Sequence, residues 1–456
     1  MPDPQRRRWC AWLAVLTLTV VVRSGVLAAR CSALRADPDG YRSLAVTLLD
    51  HGVFGDVQAA SPDAAPAIRP TAYRPPLYPL VLAAVGVGNL VSPWAVALLH
   101  LTLGVVTVVA VVLLAEQWKL GNSRWLAAGL VACDPILLQQ STVVMTETLA
   151  TALTVAALLL LTRMHQTRRV GVAVGAGVLV ALASLCRPTF LPWFAAAWVA
   201  FLLSARRATG PQPMRPAARS RIDEPLQPMA GQPCGERGGW QAALAMLFAM
   251  AAVMAPWGVR NQLVFGRPIV STTHGGYTLL LGNNPAFYDF LRARRGGDTW
   301  DSQTLDREFA AIRTQFGSDE VAADRWAYAA AWANIRRDPT ACVHASLLRI
   351  GWLWGLVPHA VDRPESTATR WMRYGVGAWY ALVFVLAVSG AWQLGRPLGR
   401  FPWLWGVLLL AAFTAAHVLY WSNLRMRAPL MPVVCLLAAY GWRGWRRAPR
   451  SDEPPS

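Results

Sequence analysis

Stretches of about 20 residues without charged side chains recur from one end of this 456-residue chain to the other. A stretch of that length, wound into an α-helix, matches the hydrocarbon thickness of a lipid bilayer. Hydrophobic residues make up 55% of the sequence and charged residues 15%, which excludes a disordered chain and an ordinary soluble enzyme. The sequence therefore predicts an all-α polytopic membrane protein.

The apolar stretches predict ten transmembrane helices, and an even number puts both termini on one side of the membrane. The predicted spans cover residues 9–29, 94–115, 124–141, 148–162, 170–185, 189–203, 240–259, 375–394, 401–420 and 430–441. If these spans alternate in direction, the arginine clusters at 6–8, 168–169, 206–221 and 443–450 share the side of the termini. The positive-inside rule makes that side the cytoplasm.

This topology divides the chain into six parts. They are an N-terminal transmembrane half at 1–204 with its first outer loop at 30–93, a cytoplasmic linker without regular structure at 205–239, a helix at 240–259, an outer region at 260–373, C-terminal transmembrane helices at 374–442 and a cytoplasmic tail at 443–456. Helical spacing predicts a short helix after Tyr41 that ends at Gly52, and two more over 307–316 and 321–337.

The basic composition does not indicate nucleic-acid binding. The net charge is +18, from 43 basic and 25 acidic residues, but the arginines cluster between apolar stretches, where they anchor the topology or meet anionic lipid. The seven cysteines are scattered, and the sequence contains neither a zinc-binding spacing nor a P-loop. Catalytic residues are therefore expected in the two outer segments.

Asp37 and Asp39 lie in the first outer loop, directly after the first span. One interpretation is structural: Asp37 followed by Pro38 has the form of a helix N-cap with proline at the first helical position. The other is that one of the two carboxylates is catalytic.

A stiff cationic segment follows between Arg69 and Pro79, with four prolines and two arginines. Pro75 and Pro76 would hold Arg74 at the depth of the lipid headgroups, where a guanidinium can bind phosphate oxygens with two hydrogen bonds. The alternative is an arginine that only anchors the interface.

Two acids lie in or between the third and fourth spans, and they are not equivalent. Asp134 precedes a proline and fits an N-cap. Glu147 has Val144 in place of a capping Ser or Thr three residues earlier, and an ionisable residue at the outer end of a span is a functional candidate.

Further candidates lie near the second outer segment. Arg260 follows the seventh span, and glycine and asparagine near Gly275 and at Asn283 and Asn284 favour tight turns. Two arginines near the C-terminus lie on the outer side, against the positive-inside bias, which suggests an anionic ligand: Arg425 and Arg427.

In this order the motifs resemble class C glycosyltransferases, in particular the bacterial group similar to protein O-mannosyltransferases and lipid A aminoarabinose transferases. The likeness covers nearly the whole chain. It rests on an acid four residues before Tyr41, a basic-Pro-Pro-Leu-Tyr segment ending at Tyr78, Thr-acid-Thr-Leu around Glu147, Trp-x-x-Arg-Asn ending at Asn261, Gly-Asn-Asn-Pro, and Arg-x-Arg-x-Pro-x-x-Pro.

The resemblance implies a site and a location. It makes Asp37 or Asp39 the catalytic base, Glu147 the second acid and Arg74 the contact to a carrier-lipid phosphate. The candidates for substrate binding are Tyr41, Tyr78, Arg69, Arg260, Asn283, Asn284, Arg425 and Arg427. It also implies a bacterial inner-membrane enzyme with a small α-rich outer region.

The implied reaction moves a sugar from a polyprenyl-phosphate donor to a lipid, glycan or protein acceptor at the outer face, with inversion. No cofactor is certain; a divalent metal could assist, but the sequence contains no ligand set that demands one. The competing interpretation is a lipid or solute transporter, for which the intramembrane Arg23 would also serve.

Overall fold

The structure is a computed structural model and describes residues 3–58, 67–207, 236–293, 300–359 and 365–447. Its helices in chain order are α1 Pro4–Ala29, α2 Tyr41–His51, α3 Leu77–Ala84, α4 Pro93–Gln117, α5 Ser123–Ala132, α6 Pro135–Gln140, α7 Glu147–Thr167, α8 Val170–Cys186, α9 Phe190–Arg207, α10 Glu236–Phe265, α11 Gly275–Gly282, α12 Pro285–Ala293, α13 Gln303–Gln315, α14 Glu320–Arg337, α15 Pro339–Leu353, α16 Thr367–Leu394, α17 Trp403–Leu419 and α18 Met431–Arg447. Shorter 3-10 helices cover Cys31–Arg35, Arg396–Gly399 and Leu424–Leu430.

The chain is a multi-pass membrane protein, as the apolar stretches predict. Helices α1, α4, α7, α10 and α16 are long and apolar enough to cross a bilayer, and α8, α9 and α17 are shorter apolar helices. Nine of the ten predicted spans each lie within one helix, apart from at most two residues at either end, and the exception is the span over 124–141.

The prediction of one continuous span over 124–141 is wrong. The helix ends at Ala132, and α6 begins at Pro135. Asp134 is the N-cap between them: its Oδ1 accepts from the backbone N–H of Leu137 at 3.0 Å, and Tyr380 donates to the same oxygen at 2.9 Å. Proline cannot donate the hydrogen bond that a continuous helix needs, so the backbone breaks here.

Buried residues from most of these helices form one apolar core. Within it α8 packs against α7 and α10, α4 packs against α1, α5 and α7, and α16 packs against α18. Arg23, on α1, is buried in this core where Gly104 of α4 leaves room for its side chain.

The first outer loop contains the short helix that the spacing predicts. Helix α2 begins at Tyr41 after Gly40, which has φ 73°, and ends at Gly52, which has φ 67°. The expectation that proline at position 38 would be the first helical residue is wrong, because Pro38 lies in the turn before Gly40. A two-stranded antiparallel hairpin, which the sequence did not predict, follows: β1 Gly55–Gln58 and β2 Ala67–Pro70.

The second outer region is helical, and the predicted helices over 307–316 and 321–337 correspond to α13 and α14. The expected tight turn at Gly275 is wrong, since this residue begins α11. Its neighbour Gly276 lets α11 approach α14, because an added Cβ would collide with the backbone carbonyl of Asp324.

Two predicted segments lie partly outside the described residues. Helices α9 and α10 extend into the predicted linker at 205–207 and 236–239, and the rest of the linker is not described. Helix α10 also runs past the predicted end of its span and includes Arg260 and Asn261. Of the predicted tail at 443–456, residues 443–447 belong to α18.

Candidate active site

Five side chains of alternating charge lie together at one end of the bundle. Arg74 Nη2 lies 3.0 Å from Asp39 Oδ1, and Arg425 Nη2 lies 3.9 Å from Asp39 Oδ2. Arg425 Nε lies 3.8 Å from Glu147 Oε1, which also pairs with Arg187 Nη1 at 3.0 Å. We call Asp39, Arg74, Glu147, Arg187 and Arg425 the ionic cluster.

The ends of different helices supply these residues. Glu147 is the first residue of α7, Arg187 follows the last residue of α8, and Arg425 lies in the 3-10 helix Leu424–Leu430. Glu147 is 1% exposed and Arg187 is 11% exposed. Removing two ions from water costs free energy that their attraction often fails to recover, so stability alone is a weak reason for such a pair.

The ionic cluster contains one more positive charge than negative charge. Arg74, Arg187 and Arg425 face two carboxylates. Guanidinium groups bind phosphate oxygens through charge-assisted hydrogen bonds, and partial burial strengthens that attraction. The cluster is therefore suited to an anionic group such as a phosphate.

Asp37 precedes Asp39 of the cluster by two residues and uses only one of its carboxylate oxygens. Its Oδ2 accepts from the backbone N–H of Ser43 at 2.9 Å, so it caps the first turn of α2 from outside the N-cap position. Its Oδ1 is buried, and no described residue hydrogen-bonds to it. The capping interpretation of Asp37 is thus correct in part, but it leaves one oxygen available.

Tyr41 and Tyr78 are buried aromatic residues near the ionic cluster, and the Arg74 guanidinium lies 5.7 Å from the centre of the Tyr41 ring. Their rings meet edge to face with centroids 5.4 Å apart, and the Tyr78 hydroxyl contacts His100 Nε2 at 2.9 Å. His100 Nδ1 lies 2.8 Å from the backbone oxygen of Ser141. These hydrogen bonds tie α3, which follows Arg74, to the segment that leads into Glu147.

On its other side Arg74 meets His274, from the second outer region. Arg74 Nη1 lies 3.5 Å from His274 Nε2. Burial, together with the charges of Arg74 and Arg313, holds the pKa of His274 well below its usual value. A neutral imidazole that accepts from a guanidinium through Nε2 carries its proton on Nδ1, and this buried nitrogen has no hydrogen-bond partner among the described residues.

Several predicted site residues instead support the fold around the cluster. Arg260 donates to the backbone oxygens of Thr71 at 2.9 Å and Phe54 at 2.7 Å. Arg427 is fully buried, lies 4.2 Å from the Tyr380 ring centre and donates to the Leu353 oxygen.

The remaining predicted residues lie elsewhere in the outer segments. Asn283 and Asn284 form the joint between α11 and α12, where Asn284 Oδ1 accepts from the backbone N–H of Phe287 at 2.8 Å. Asn283 donates to the Leu419 oxygen at 2.8 Å. Arg69 lies in β2 opposite Asp56 of β1. None of the contacts described for these residues reaches a member of the ionic cluster.

Arg187 and His274 were missed in the sequence. A signal existed for Arg187, because it lies between two predicted spans on the outer side, and this same charge bias singled out Arg425. No local pattern marks His274, since only the folded chain brings it to Arg74.

The described residues do not offer a site for a divalent metal. Within 3–58, 67–207, 236–293, 300–359 and 365–447, no group of three or more His, Cys, Asp or Glu side chains could hold one. Arginines separate the carboxylates of the cluster, and a cation would be repelled by that excess positive charge. These residues therefore do not fit a divalent metal.

Part of the sequence matches a known family. Residues 73–214 match the profile of a family described as dolichyl-phosphate-mannose-protein mannosyltransferase. The matched segment is less than half of the chain, and it contains Arg74, Glu147 and Arg187. No curated protein matches the sequence.

The fold is that of the class C glycosyltransferases, which confirms the resemblance at the level of architecture. The chain is similar to the archaeal oligosaccharyltransferase AglB from Archaeoglobus fulgidus, solved in complex with an inhibitory peptide and a dolichol-phosphate, with TM-score 0.52 and 14% identity. The match covers 100% of this chain and 53% of that chain, so this protein spans about half the length of the archaeal enzyme.

Two other solved structures match with similar coverage of this chain. The apo form of the Archaeoglobus fulgidus enzyme has TM-score 0.51 and 14% identity over 97% of this chain and 52% of that chain. ArnT from Cupriavidus metallidurans bound to undecaprenyl phosphate has TM-score 0.40 and 13% identity over 94% of this chain and 77% of that chain.

Proposed function

We propose that this protein is an inverting glycosyltransferase that moves a sugar from a polyprenyl-phosphate donor to an acceptor at the extracytoplasmic face of the membrane. The acceptor would be a hydroxyl or phosphate oxygen of a lipid, glycan or protein. One observation carries the proposal: three arginines together exceed their carboxylate partners in charge, and Asp37, two residues before one of those partners, has a buried oxygen without a described hydrogen-bond partner.

In this proposal Arg74, Arg187 and Arg425 hold the phosphate of the donor lipid. Negative charge grows on the phosphate oxygen as its bond to the anomeric carbon breaks. Fixed guanidinium groups in a partly dehydrated site stabilise that charge without having to reorient. The lipid chain would extend into the bilayer from the outer ends of the helices.

Asp37 is the proposed general base. As the acceptor oxygen attacks the anomeric carbon from the face opposite the phosphate, the acceptor proton passes to Asp37 Oδ1. One bond forms between acceptor oxygen and carbon, and the bond between carbon and phosphate oxygen breaks. The polyprenyl phosphate leaves with the bonding electron pair, and the configuration at the carbon inverts.

The two carboxylates of the ionic cluster have a different proposed role. Asp39 contacts Arg74 and Arg425, and Glu147 contacts Arg187 and Arg425. Each carboxylate therefore lies between two guanidinium groups and fixes their orientation. Asp37, in contrast, has no arginine within salt-bridge distance among the described residues.

The location of the reaction follows from the proposed topology. With the termini in the cytoplasm of a bacterial inner membrane, the start of α7, the end of α8 and the 3-10 helix Leu424–Leu430 all lie on the outer side. The donor sugar would therefore reach the site from the outer leaflet, and the outer regions 30–93 and 260–373 would receive the acceptor.

Purified protein in lipid nanodiscs, mixed with polyprenyl-phosphate sugars labelled in the sugar and with extracted envelope acceptors, tests the proposal. We expect label to move to an acceptor while free polyprenyl phosphate accumulates. Glu147→Gln should abolish this transfer but leave the monodisperse elution of the protein unchanged. Labelled donor that binds but stays intact with every acceptor fraction would contradict it.

A lipid or solute transporter is the second candidate, and the buried Arg23 is the observation that favours it. The same protein in sealed vesicles distinguishes the two. A transporter would move intact labelled donor between leaflets, whereas the proposed enzyme breaks the bond between sugar and phosphate.

A further inference from the structure

Glu320, on the second outer region, binds the segment of the first outer loop that carries Arg74. Its Oε2 accepts from the Thr71 hydroxyl at 2.7 Å, and its Oε1 accepts from the backbone N–H of Ala72 at 2.6 Å. The same Oε1 accepts from the Thr273 hydroxyl at 3.0 Å. Glu320 is 5% exposed, so these hydrogen bonds replace the water that a carboxylate would otherwise bind.

This contact joins two segments that each end in a residue of the site. Thr71 and Ala72 lead directly into Arg74, and Thr273 immediately precedes His274. The backbone N–H of Thr273 also donates to the Ala72 oxygen at 3.0 Å. The carboxylate of Glu320 thus lies where the two segments cross.

Helix capping does not account for these hydrogen bonds. Glu320 is the first residue of α14, but the N-cap of that helix is Asp319, whose Oδ1 accepts from the backbone N–H of Ala322 at 2.9 Å. Both carboxylate oxygens of Glu320 are directed at other segments. Glu320 therefore binds the first outer loop and does not cap its own helix.

The path from Glu320 to Arg74 is short and rigid. The Thr71 hydroxyl, which donates to Glu320, accepts from the backbone N–H of Tyr73 at 3.0 Å. The Tyr73 ring meets His274 with ring centres 4.4 Å apart. After Arg74 the chain continues into Pro75 and Pro76, which restrict the backbone on the other side.

We infer that Glu320 is a positioning residue for donor binding: it fixes the 71–74 segment so that Arg74 points at the donor phosphate. This inference rests on the proposed function for its consequence, but the contact itself involves only protein atoms. Displacement of a substrate-binding group by about 1 Å can lower an enzymatic rate about 100-fold.

Hydrogen exchange measured by mass spectrometry tests the contact without any substrate. In Glu320→Ala we expect the amides of Ala72 and Tyr73 to exchange at least about tenfold faster, because their hydrogen-bond partners are lost or released. Glu320→Gln should restore most of the protection, since its amide oxygen can still accept from Ala72 and its NH₂ can donate to the Thr71 hydroxyl. Asp319→Ala is the matched control, and it should loosen α14 but leave the 71–74 segment protected.

Transfer kinetics then test whether Glu320 acts through Arg74. Glu320→Ala should raise KM for the donor about 10- to 100-fold with a smaller change in kcat. In the double variant Glu320→Ala/Arg74→Gln, donor KM should be less than about threefold higher than in Arg74→Gln alone, because the effects of residues that act as one unit are not additive. If Glu320→Ala does not fold, Thr273→Val removes one hydrogen bond to the same carboxylate and should show the same pattern in weaker form.

Two results would overturn the inference: unchanged exchange at Ala72 and Tyr73 in Glu320→Ala, or fully additive effects of Glu320→Ala and Arg74→Gln on donor KM. Failure of the proposed function has a different signature. The wild type would then transfer no sugar, while the exchange experiment would still report the contact.

Discussion

Asp37 and Asp39 are two residues apart, yet their side chains have different surroundings. Asp39 is paired with Arg74 and Arg425, whereas Asp37 accepts a single backbone hydrogen bond and has a buried oxygen without a described partner. The sequence left both residues as candidates for the base. These contacts favour Asp37.

Asp37→Asn separates catalysis from capping. Asparagine still accepts from the Ser43 N–H, so the stability of α2 should change little. It cannot take a proton, so transfer should fall roughly 10²- to 10⁴-fold. Thermal unfolding and transfer are measured on the same preparation, with Asp39→Asn as the comparison; an active Asp37→Asn protein beside an inactive Asp39→Asn protein would move the base to Asp39.

Arg74 should bind the donor through the geometry of its guanidinium as well as through its charge. Arg74→Lys keeps the charge, so donor affinity should fall less than in Arg74→Gln, where the loss of charge-assisted hydrogen bonds predicts roughly a 10- to 100-fold decrease. Binding of polyprenyl phosphate is measured by titration in nanodiscs. If Arg74→Gln binds the lipid as the wild type does and only its membrane yield falls, Arg74 is an interface anchor.

At the scale of whole elements, the sequence predicted the helices better than their interruptions. Length and lack of charge are enough to identify an apolar helix, and the N-cap at Asp134 was predicted from the proline that follows it. The interruption between α5 and α6 at this cap was not predicted, because the apolar stretch continues on both sides of Asp134. The hairpin of β1 and β2 was missed because neither four-residue strand shows a long alternating pattern.

Tertiary contacts between distant segments account for the rest of the site. His274 and Glu320 lie more than 190 residues after the loop that they contact. A single sequence shows such a residue only as an ordinary polar position on a helix or turn. Arg187 differs, because its position between two predicted spans indicates a positive charge on the predicted outer side.

Helix α14 carries a carboxyl group that should make the outer region sensitive to pH. Burial raises the pKa of Asp324 to about 6, although the backbone N–H of Gly276 donates to it at 2.7 Å. The unfolded value is about 4, so the folded protein binds more protons between about pH 4 and pH 6. The contribution of Asp324 to stability is therefore present below pH 4 and is lost as the pH rises to about 6.

Asp324→Asn should remove that part of the pH dependence. Asparagine can still accept from Gly276 but does not ionise, so α11 and α14 should remain packed at all pH values in this range. Hydrogen exchange of α11 and α14 peptides, corrected for the intrinsic pH dependence, is compared between wild type and variant from pH 4 to pH 7. If the corrected exchange rates of the two proteins depend on pH in the same way, Asp324 does not titrate between pH 4 and pH 7.

Across the whole molecule, two groups of charges lie at opposite ends of the bundle. The ionic cluster lies where α7 begins and α8 ends, while Glu116 near the end of α4 pairs with Arg8 at 3.1 Å and with Arg124 at 2.8 Å. Arginines near the ends of α7 and α18 add positive charge at that second end. From the positive-inside rule we predict that the second end is the cytoplasmic one.

Thiol labelling in intact cells checks this orientation. Arg215, in the predicted cytoplasmic linker, and Gly296, in the predicted outer region, lie outside the described residues. We therefore choose Arg169 between α7 and α8 and Ser318 between α13 and α14 as labelling sites. In a background with Cys10, Cys31 and Cys234 replaced by serine, Ser318→Cys should react with an impermeant reagent and Arg169→Cys should react only after lysis. Labelling of both before lysis would refute the topology.

The anomeric configuration of the first product tests the central claim most directly. Purified protein receives a polyprenyl-phosphate sugar of known configuration and an acceptor identified by label transfer, and the new glycosidic bond is read by NMR while released polyprenyl phosphate is quantified. We predict one polyprenyl phosphate for each sugar transferred, an inverted anomeric carbon, and loss of both signals in Asp37→Asn. Retained configuration, or full transfer by Asp37→Asn and by Asp39→Asn, would contradict a single displacement assisted by an aspartate of the first outer loop.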